Sequence, residues 1–303
     1  MNTQDHNISP CAIFAYNRED KLLNLIQSLQ ANLISKETIL YIFSDAPKNA
    51  NEFEKVQKVR KVARSISGFK RVILTERPEN FGCARNVISG IDEVLKAHSS
   101  LIVLEDDAIV SELFLEYMNK TLKQYEFHNE VWSITGYAYP LNFPYKYDCD
   151  TYLHPRWCSK SFAIWSKYWD THIFDKDALI NSITSSSSLS RLSCCGPDTQ
   201  SLFKRYKKNK IDSYAMWFTL NQVLNSKMTV YPKLSYVSDQ GLKDGTHTKN
   251  ALSHNEVFAT GLAKIYAVKE DNAMSACFMR YLQGYIIRAY IYRLKTFLGF
   301  SYE

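Results

Sequence analysis

Leu101-Ile102-Val103-Leu104-Glu105-Asp106-Asp107 is the stretch on which the reading of this chain turns. Four apolar residues in a row fit a strand buried on both faces, and three carboxylates follow where that strand ends. Three like charges at the rim of a sheet have to be separated, neutralised or given a cation. Hard carboxylate oxygens suit a divalent ion such as Mn2+ or Mg2+, which would bridge to a diphosphate. An acidic triplet elsewhere would pass for solvated surface; here the strand delivers it to one place, with Asp107 as the candidate metal ligand and Glu105 and Asp106 orienting donor hydroxyls or nearby water.

Working outward, the first half repeats the same design. Pro10 to Tyr16 (PCAIFAY) reads as a buried strand, and Leu22, Ile26, Leu29 and Leu33 then recur on one helical face. Thr38 to Phe43 and Arg71 to Thr75 are further strands, with helices over Asn51 to Ser65, Ala84 to Ala97 and Ser111 to Tyr125, the last with Ser111 as its cap. This alternation predicts a mostly parallel sheet covered by helices. Its strands run out into Tyr16-Asn17-Arg18, Ser44-Asp45, Glu76-Arg77-Pro78 and the acidic triplet. Ligands of open α/β sheets bind beyond the carboxyl ends of the strands, so these four polar tips are expected to share a cleft.

The second half is less regular. A strand is expected within Glu130 to Ala138, helices near Pro197 to Tyr206 and Ser213 to Leu224, and a strand pair around Val230 and Tyr236. The serine-rich run Asn181 to Ser193 reads as a loop. In the tail, Phe278, Leu282, Tyr285, Ile286 and Ala289 recur at helical spacing, which suits either packing on the body or lying on a membrane surface.

Composition narrows the classes. With 10 Gly and 8 Pro in 303 residues, collagen-like and linker-rich chains are excluded, and 46% hydrophobic with 22% charged residues is an ordinary globule. A net charge of +6 permits an anionic partner without requiring one. The seven cysteines, an odd number, have no CxxC spacing, which points to reduced thiols. Met1 to Pro10 is polar, without the apolar segment of a secretory leader, and no apolar run nears the ~18 residues of a membrane span. A cytoplasmic protein is the expectation, at the inner face of the membrane if the tail binds lipid.

Two nucleotide-binding signatures are missing: there is no GxxxxGK[ST] phosphate loop and no GxGxxG after the first strand. Phosphates would therefore be held by a metal and side chains. An aspartyl-nucleophile phosphatase would present Asp where the first strand ends, and this chain has Asn17-Arg18.

FAYNRED, the Ser44-Asp45 tip, NFGCARN (Asn80 to Asn86) and LEDDAIVSELFLEYM, taken in order, resemble the nucleotide-sugar half of GT-A glycosyltransferases. The likeness is to the N-acetylglucosaminyltransferase I type and to bacterial family 2-like sugar transferases with an EDD form of the DxD motif; it is good from about Pro10 to Tyr139 and patchy from Tyr152 to His247. It implies an α/β GT-A sheet, Rossmann-like, with an acceptor-side α+β half and a helical tail. The implied boundaries are 1–140 for the nucleotide-sugar half, 141–255 for the acceptor and catalytic half, and 256–303 for the tail. Residue by residue, it implies that Ala15, Tyr16, Asn17 and Arg18 line the nucleotide, that Asp45 reaches base or ribose, and that Asn80 and Arg85 sit beside the diphosphate or donor sugar. Arg85 would alternatively be a helix-start residue paired with a carboxylate. Asp107 would carry Mn2+ or Mg2+, and His247, in GLKDGTHT, would complete that site.

The implied activity is an inverting, metal-dependent transfer from a nucleoside diphosphate sugar, preferably a UDP-sugar, to a hydroxyl of a surface glycan such as capsule or lipopolysaccharide, assembled on a lipid carrier. Inversion needs a carboxylate to take the acceptor proton. Asp212, in KIDSYAMWF, matches the family's downstream aspartate, although Asp before an apolar helix is also an N-cap; Asp198 in CGPDTQ is the reserve. The missing glycine in Trp157 to Trp165 leaves the sugar open. The run Lys204 to Lys210 is a solvated helix end or a lipid-diphosphate contact. Two rivals are a nucleotidyltransferase, whose glycine-rich signature AYNRED lacks, and a non-catalytic polyanion binder using Lys55, Lys58, Arg60, Lys61, Arg64 and the 204–210 run, against which the acidic triplet argues.

Overall fold

The computed structural model describes residues 8–240 and 258–297. Eight strands form one sheet: β1 (Cys11–Ala15), β2 (Ile39–Ser44), β3 (Arg71–Glu76), β4 (Ser100–Glu105), β6 (Val131–Ile134), β7 (Thr151–His154), β8 (Phe162–Trp165) and β9 (Met228–Pro232). Their spatial order is β3-β2-β1-β4-β8-β6-β9-β7, and the first four run parallel. A separate antiparallel ribbon joins β5 (Ala108–Val110) to β10 (Val237–Asp239). The order reverses between β1 and β4, which is where an open α/β sheet leaves a crevice. This is the mostly parallel, helix-flanked sheet expected of a GT-A chain.

Strand alternation builds the two layers. Cys11, Ile13 and Ala15 of β1, with Ile102 and Leu104 of β4, pack under α1 (Glu19–Gln30), α2 (Phe53–Ser65) and α4 (Phe114–Tyr125). Ala12, Phe14, Leu101 and Val103 face the other layer, α3 (Gly82–Leu95), α6 (Lys176–Thr184), α8 (Thr199–Lys207) and α9 (Tyr214–Leu224). Two short helices, α5 (Ser166–Trp169) and α7 (Ser188–Arg191), complete the set before the C-terminal helix Asn272–Phe297. Gly90 lets α3 ride close to the sheet: a Cβ there would stand 2.5 Å from the Phe14 ring, itself stacked on Phe43 at 5.1 Å.

Several expectations are corrected. The serine-rich run is helical, not a loop: Asp175 caps α6 by accepting from Ala178 N at 2.7 Å, Leu179, Ile180 and Ile183 are buried, and the hydroxyls of Ser182 and Ser185 bond back to Ala178 O and Asn181 O. Leu33 is 81% exposed, because α1 ends at Gln30 and the chain turns out of register. Ser111 is not the cap of α4, which begins at Phe114; Asn32 accepts from Leu115 N at 2.9 Å instead. Val230 and Tyr236 do not form a strand pair, since β9 joins the main sheet and β10 pairs with β5. Among the described residues no helix is long and apolar enough to cross a membrane. The C-terminal helix packs on the body through Met274, Phe278 and Leu282, while Ile286, Ile287 and Tyr290 face outward.

Two buried histidines sit in aromatic surroundings. His154 stacks on Phe278 at 3.8 Å, and burial, aided by the charge of Arg156, pushes its pKa down to about 3. His172 lies against Trp132, Trp169 and Trp217, and burial lowers it to about 4. Both rings are neutral in the folded protein at a pH where the unfolded chain already binds protons. Stability is therefore complete above about pH 6.5 and falls below it, by about 1.4 kcal/mol per pH unit for each ring. Asp106, pushed up to about 6 chiefly by burial, takes a proton when folded and offsets part of this in the lower window. Urea unfolding should show a net loss of stability from pH 7 to pH 5; a flat profile would refute the assignment.

Candidate active site

The tips of β1, β2 and β4 converge because their backbone ladders continue past the strands. Asp45 N donates to Ala15 O at 3.0 Å, Arg77 N to Ser44 O at 2.9 Å and Asp106 N to Phe14 O at 3.2 Å. Alternation then sorts the carboxylates. Glu105 shares the face of Leu101 and Val103 and meets α9, where the Tyr214 hydroxyl donates to Glu105 Oε1. Asp106 turns the other way and is buried, with Tyr16 N donating to its Oδ2 at 3.4 Å.

Arg18 spans the remaining pair. One guanidinium nitrogen bonds to Asp106 Oδ1 and the other lies 2.8 Å from Asp107 Oδ2. Burial of Asp106 and the nearby Asp107 charge raise its pKa to about 6 against the pull of Arg18. The Asp106 side chain is 3% exposed and that of Asp107 17%, so Asp107 is the one open to the cleft. Gln240 N, from the end of β10, donates to Asp107 O at 2.9 Å.

Asp45 has a different environment from a ligand-facing carboxylate. It is 5% exposed and accepts from Ala46 N, Asn80 Nδ2, Phe81 N and Gly82 N at 2.8 to 3.2 Å. It thereby caps α3 from a distant strand tip and shapes the NFGCARN turn, in which Gly82 takes φ +73. Asn80 also donates to Ala46 O at 2.6 Å. Tyr16 accepts from Lys48 N at 3.0 Å, Asn17 donates to Glu52, and Ala15 is buried with its carbonyl bonded to Asp45 N. Arg85 is exposed, 3.1 Å from Glu79 and over the Phe81 ring at 3.8 Å, the carboxylate pairing foreseen as its alternative.

Across the cleft, Asp212 is exposed, and its Oδ2 lies 4.0 Å from where a Cβ of Gly82 would be. It is not the helix cap: Ser213 Oγ accepts from Met216 N at 3.2 Å and performs that role. Desolvation, and then the charges of Glu105, Asp212, Asp106 and Asp107, push the Cys83 thiol up. Asp198 lies elsewhere, held by Arg156 through two bonds of 2.8 and 2.9 Å. Burial opposes its ionisation, but Arg156 prevails and keeps its pKa below the ordinary value, so Asp198 is ion-paired within the fold. His247 lies outside the described residues. Tyr214, Glu52 and Arg156 were missed; Tyr214 stands two positions after Asp212, at the start of α9.

The sequence profile of glycosyl transferase family 2 matches residues 11–187, more than half of the chain and all of the strand tips just described. The chain belongs to glycosyl transferase family 2. Among solved structures, this family 2 transferase is similar to a mannosyltransferase, PcManGT from Pyrobaculum calidifontis in complex with GDP-Man and Mn2+, at 13% identity over 55% of this chain and 48% of that one, TM-score 0.41. It is similar to TarS of S. aureus at 11% identity over 75% and 36%, TM-score 0.43, and to an active-site mutant of LgtC at 12% over 73% and 72%, TM-score 0.39. The chain thus spans about half of that mannosyltransferase and about a third of TarS. No curated protein sequence matches it.

Asp45→Ala removes acceptors from several buried donors at the start of α3 and is expected to lower the unfolding free energy by roughly 1–3 kcal/mol. An unchanged urea midpoint would show that the NFGCARN turn does not depend on Asp45.

Proposed function

We propose that this family 2 transferase is metal-dependent and inverting, and that it moves a sugar from a UDP-sugar to a hydroxyl of a surface glycan or lipid-linked oligosaccharide. What supports the reading is Asp107, the less buried of the aspartates at the switch point, together with Asp212, exposed beside the Gly82 turn, whose charges both act on Cys83. The preference for UDP follows the sequence resemblance to the N-acetylglucosaminyltransferase I type.

Among the described residues no three His, Cys, Asp or Glu side chains form a cage for an ion. The donor set suits a different mode: one carboxylate, with the rest of the ligand shell left to water and substrate phosphate, is how Mg2+-like ions are commonly held at nucleotides. Asp107 would hold the ion, which when bound supplies charge compensation to the departing diphosphate. His247 is proposed as a further ligand.

The chain's own residues do the remainder. Tyr16, Asn17 and Arg18 form the floor for the nucleotide, with Ala15 contributing backbone. Asp45 acts by fixing Asn80 and the Gly82 turn, which bring Arg85 to the donor side. Glu105, oriented by Tyr214, accepts hydrogen bonds from donor hydroxyls, and Asp106 holds Tyr16 N and Arg18 in place. Asp212 takes the proton of the acceptor hydroxyl as its oxygen attacks the anomeric carbon from the opposite side. A carboxylate within reach of that hydroxyl contributes about 10²–10⁴-fold.

Residues 1–140 are the donor half and 141–255 the acceptor half in this proposal, with 256–303 as a tail. The exposed cations of the 204–210 run and the outward face of the C-terminal helix would approach an anionic lipid carrier at the cytoplasmic face of the membrane.

Asp107→Asn should abolish Mn2+-dependent transfer while the circular dichroism spectrum is kept; full turnover at saturating Mn2+ would remove Asp107 from the metal site. Asp212→Asn should still bind UDP by calorimetry and lose transfer by about 10²-fold or more. Retained transfer would move the base elsewhere.

A further inference from the structure

Arg18 has two duties that cannot be met at once. Its guanidinium engages both Asp106 and Asp107, the second at 2.8 Å, and so covers the carboxylate most open to the cleft. It is tethered at the start of α1, where Leu22 N donates to Arg18 O at 3.2 Å, and its side chain is still 30% exposed toward the cleft. A guanidinium and a divalent ion on the same carboxylate repel each other. The planar fork of arginine is also well matched to phosphate oxygens.

We infer that Arg18 is a resident counter-cation which keeps Asp107 occupied until a nucleoside diphosphate arrives, and then transfers from Asp107 to the diphosphate, so that nucleotide and metal bind cooperatively. The inference rests on the metal role proposed above for Asp107. Asp106 is the pivot of the exchange: buried, and shared with Tyr16 N, it keeps one guanidinium nitrogen while the other changes partner. No bond is made or broken in the step; one ion pair is exchanged for another. Before the exchange Arg18 compensates the crowded carboxylates, and afterwards the divalent ion does so. Linkage requires the effect to be mutual, with nucleotide tightening metal by the same factor as metal tightens nucleotide.

The test measures Mn2+ affinity by electron paramagnetic resonance of the free ion, for wild type and R18Q, with and without UDP. Mn2+ alone should bind R18Q about tenfold more tightly than wild type, and the factor by which UDP tightens Mn2+ should shrink correspondingly. R18K, which keeps a charge but cannot fork across two carboxylates, should lie between them and serves if R18Q does not fold. Unchanged or weaker Mn2+ binding in both variants, with wild type binding normally, overturns the role of Arg18 alone. Wild type that binds no Mn2+ with or without UDP overturns the metal assignment and this inference with it.

Discussion

Everything at the site follows from placing two acidic side chains, Asp106 and Asp107, at the end of a strand whose neighbours are buried. β4 lies between β1 and β8 with Leu101 to Leu104 removed from water, so the chain cannot turn until the sheet ends. Once it turns, the carboxylates meet at the switch point with no choice of position. A buried carboxylate without a partner is prohibitively costly, and one shared guanidinium resolves the conflict for both. The residue that supplies it comes from the tip of β1, the adjacent parallel strand, in the only register that the ladder from Cys11 and Ile102 to Phe14 and Glu105 allows.

The first half of the chain was largely legible in sequence because its signals are local. A short apolar run bounded by polar residues encodes both a buried strand and the tip where it ends, and β1 to β4 fall within a residue or two of their expected limits. What could not be read was long-range polar capping. Asn32 caps α4 and Asp45 caps α3, each from another element, so neither the start of α4 nor the inward employment of Asp45 carries a sequence signature. The serine-rich helix misleads for a related reason: composition suggests a loop, but serine hydroxyls bond back to the carbonyls of their own helix, and Leu179, Ile180 and Ile183 supply the burial.

The second half was harder because its strands do not follow chain order. β8 enters antiparallel beside β4, and β6, β9 and β7 lie beyond it, so residues distant in sequence share one sheet with the first half. That arrangement has a chemical consequence. α9 is carried against the face on which Glu105 emerges, Tyr214 reaches that carboxylate, and Asp212 stands two residues earlier at the helix start. The aromatic richness of the sequence is explained by the same packing, since Trp157, Phe162, Tyr214 and Phe218 form a continuous layer.

Two aspartates near helix starts therefore differ in chemistry for reasons that their residue type does not reveal. Asp198 faces Arg156 at two nitrogens and is committed to the fold. Asp212 is relieved of capping because the next residue, Ser213, presents its hydroxyl to Met216 N. A serine placed one position later thus frees an exposed carboxylate beside the Gly82 turn. Arrangement of hydrogen-bond donors, and not the count of acidic residues, decides which carboxylates are available for proton transfer.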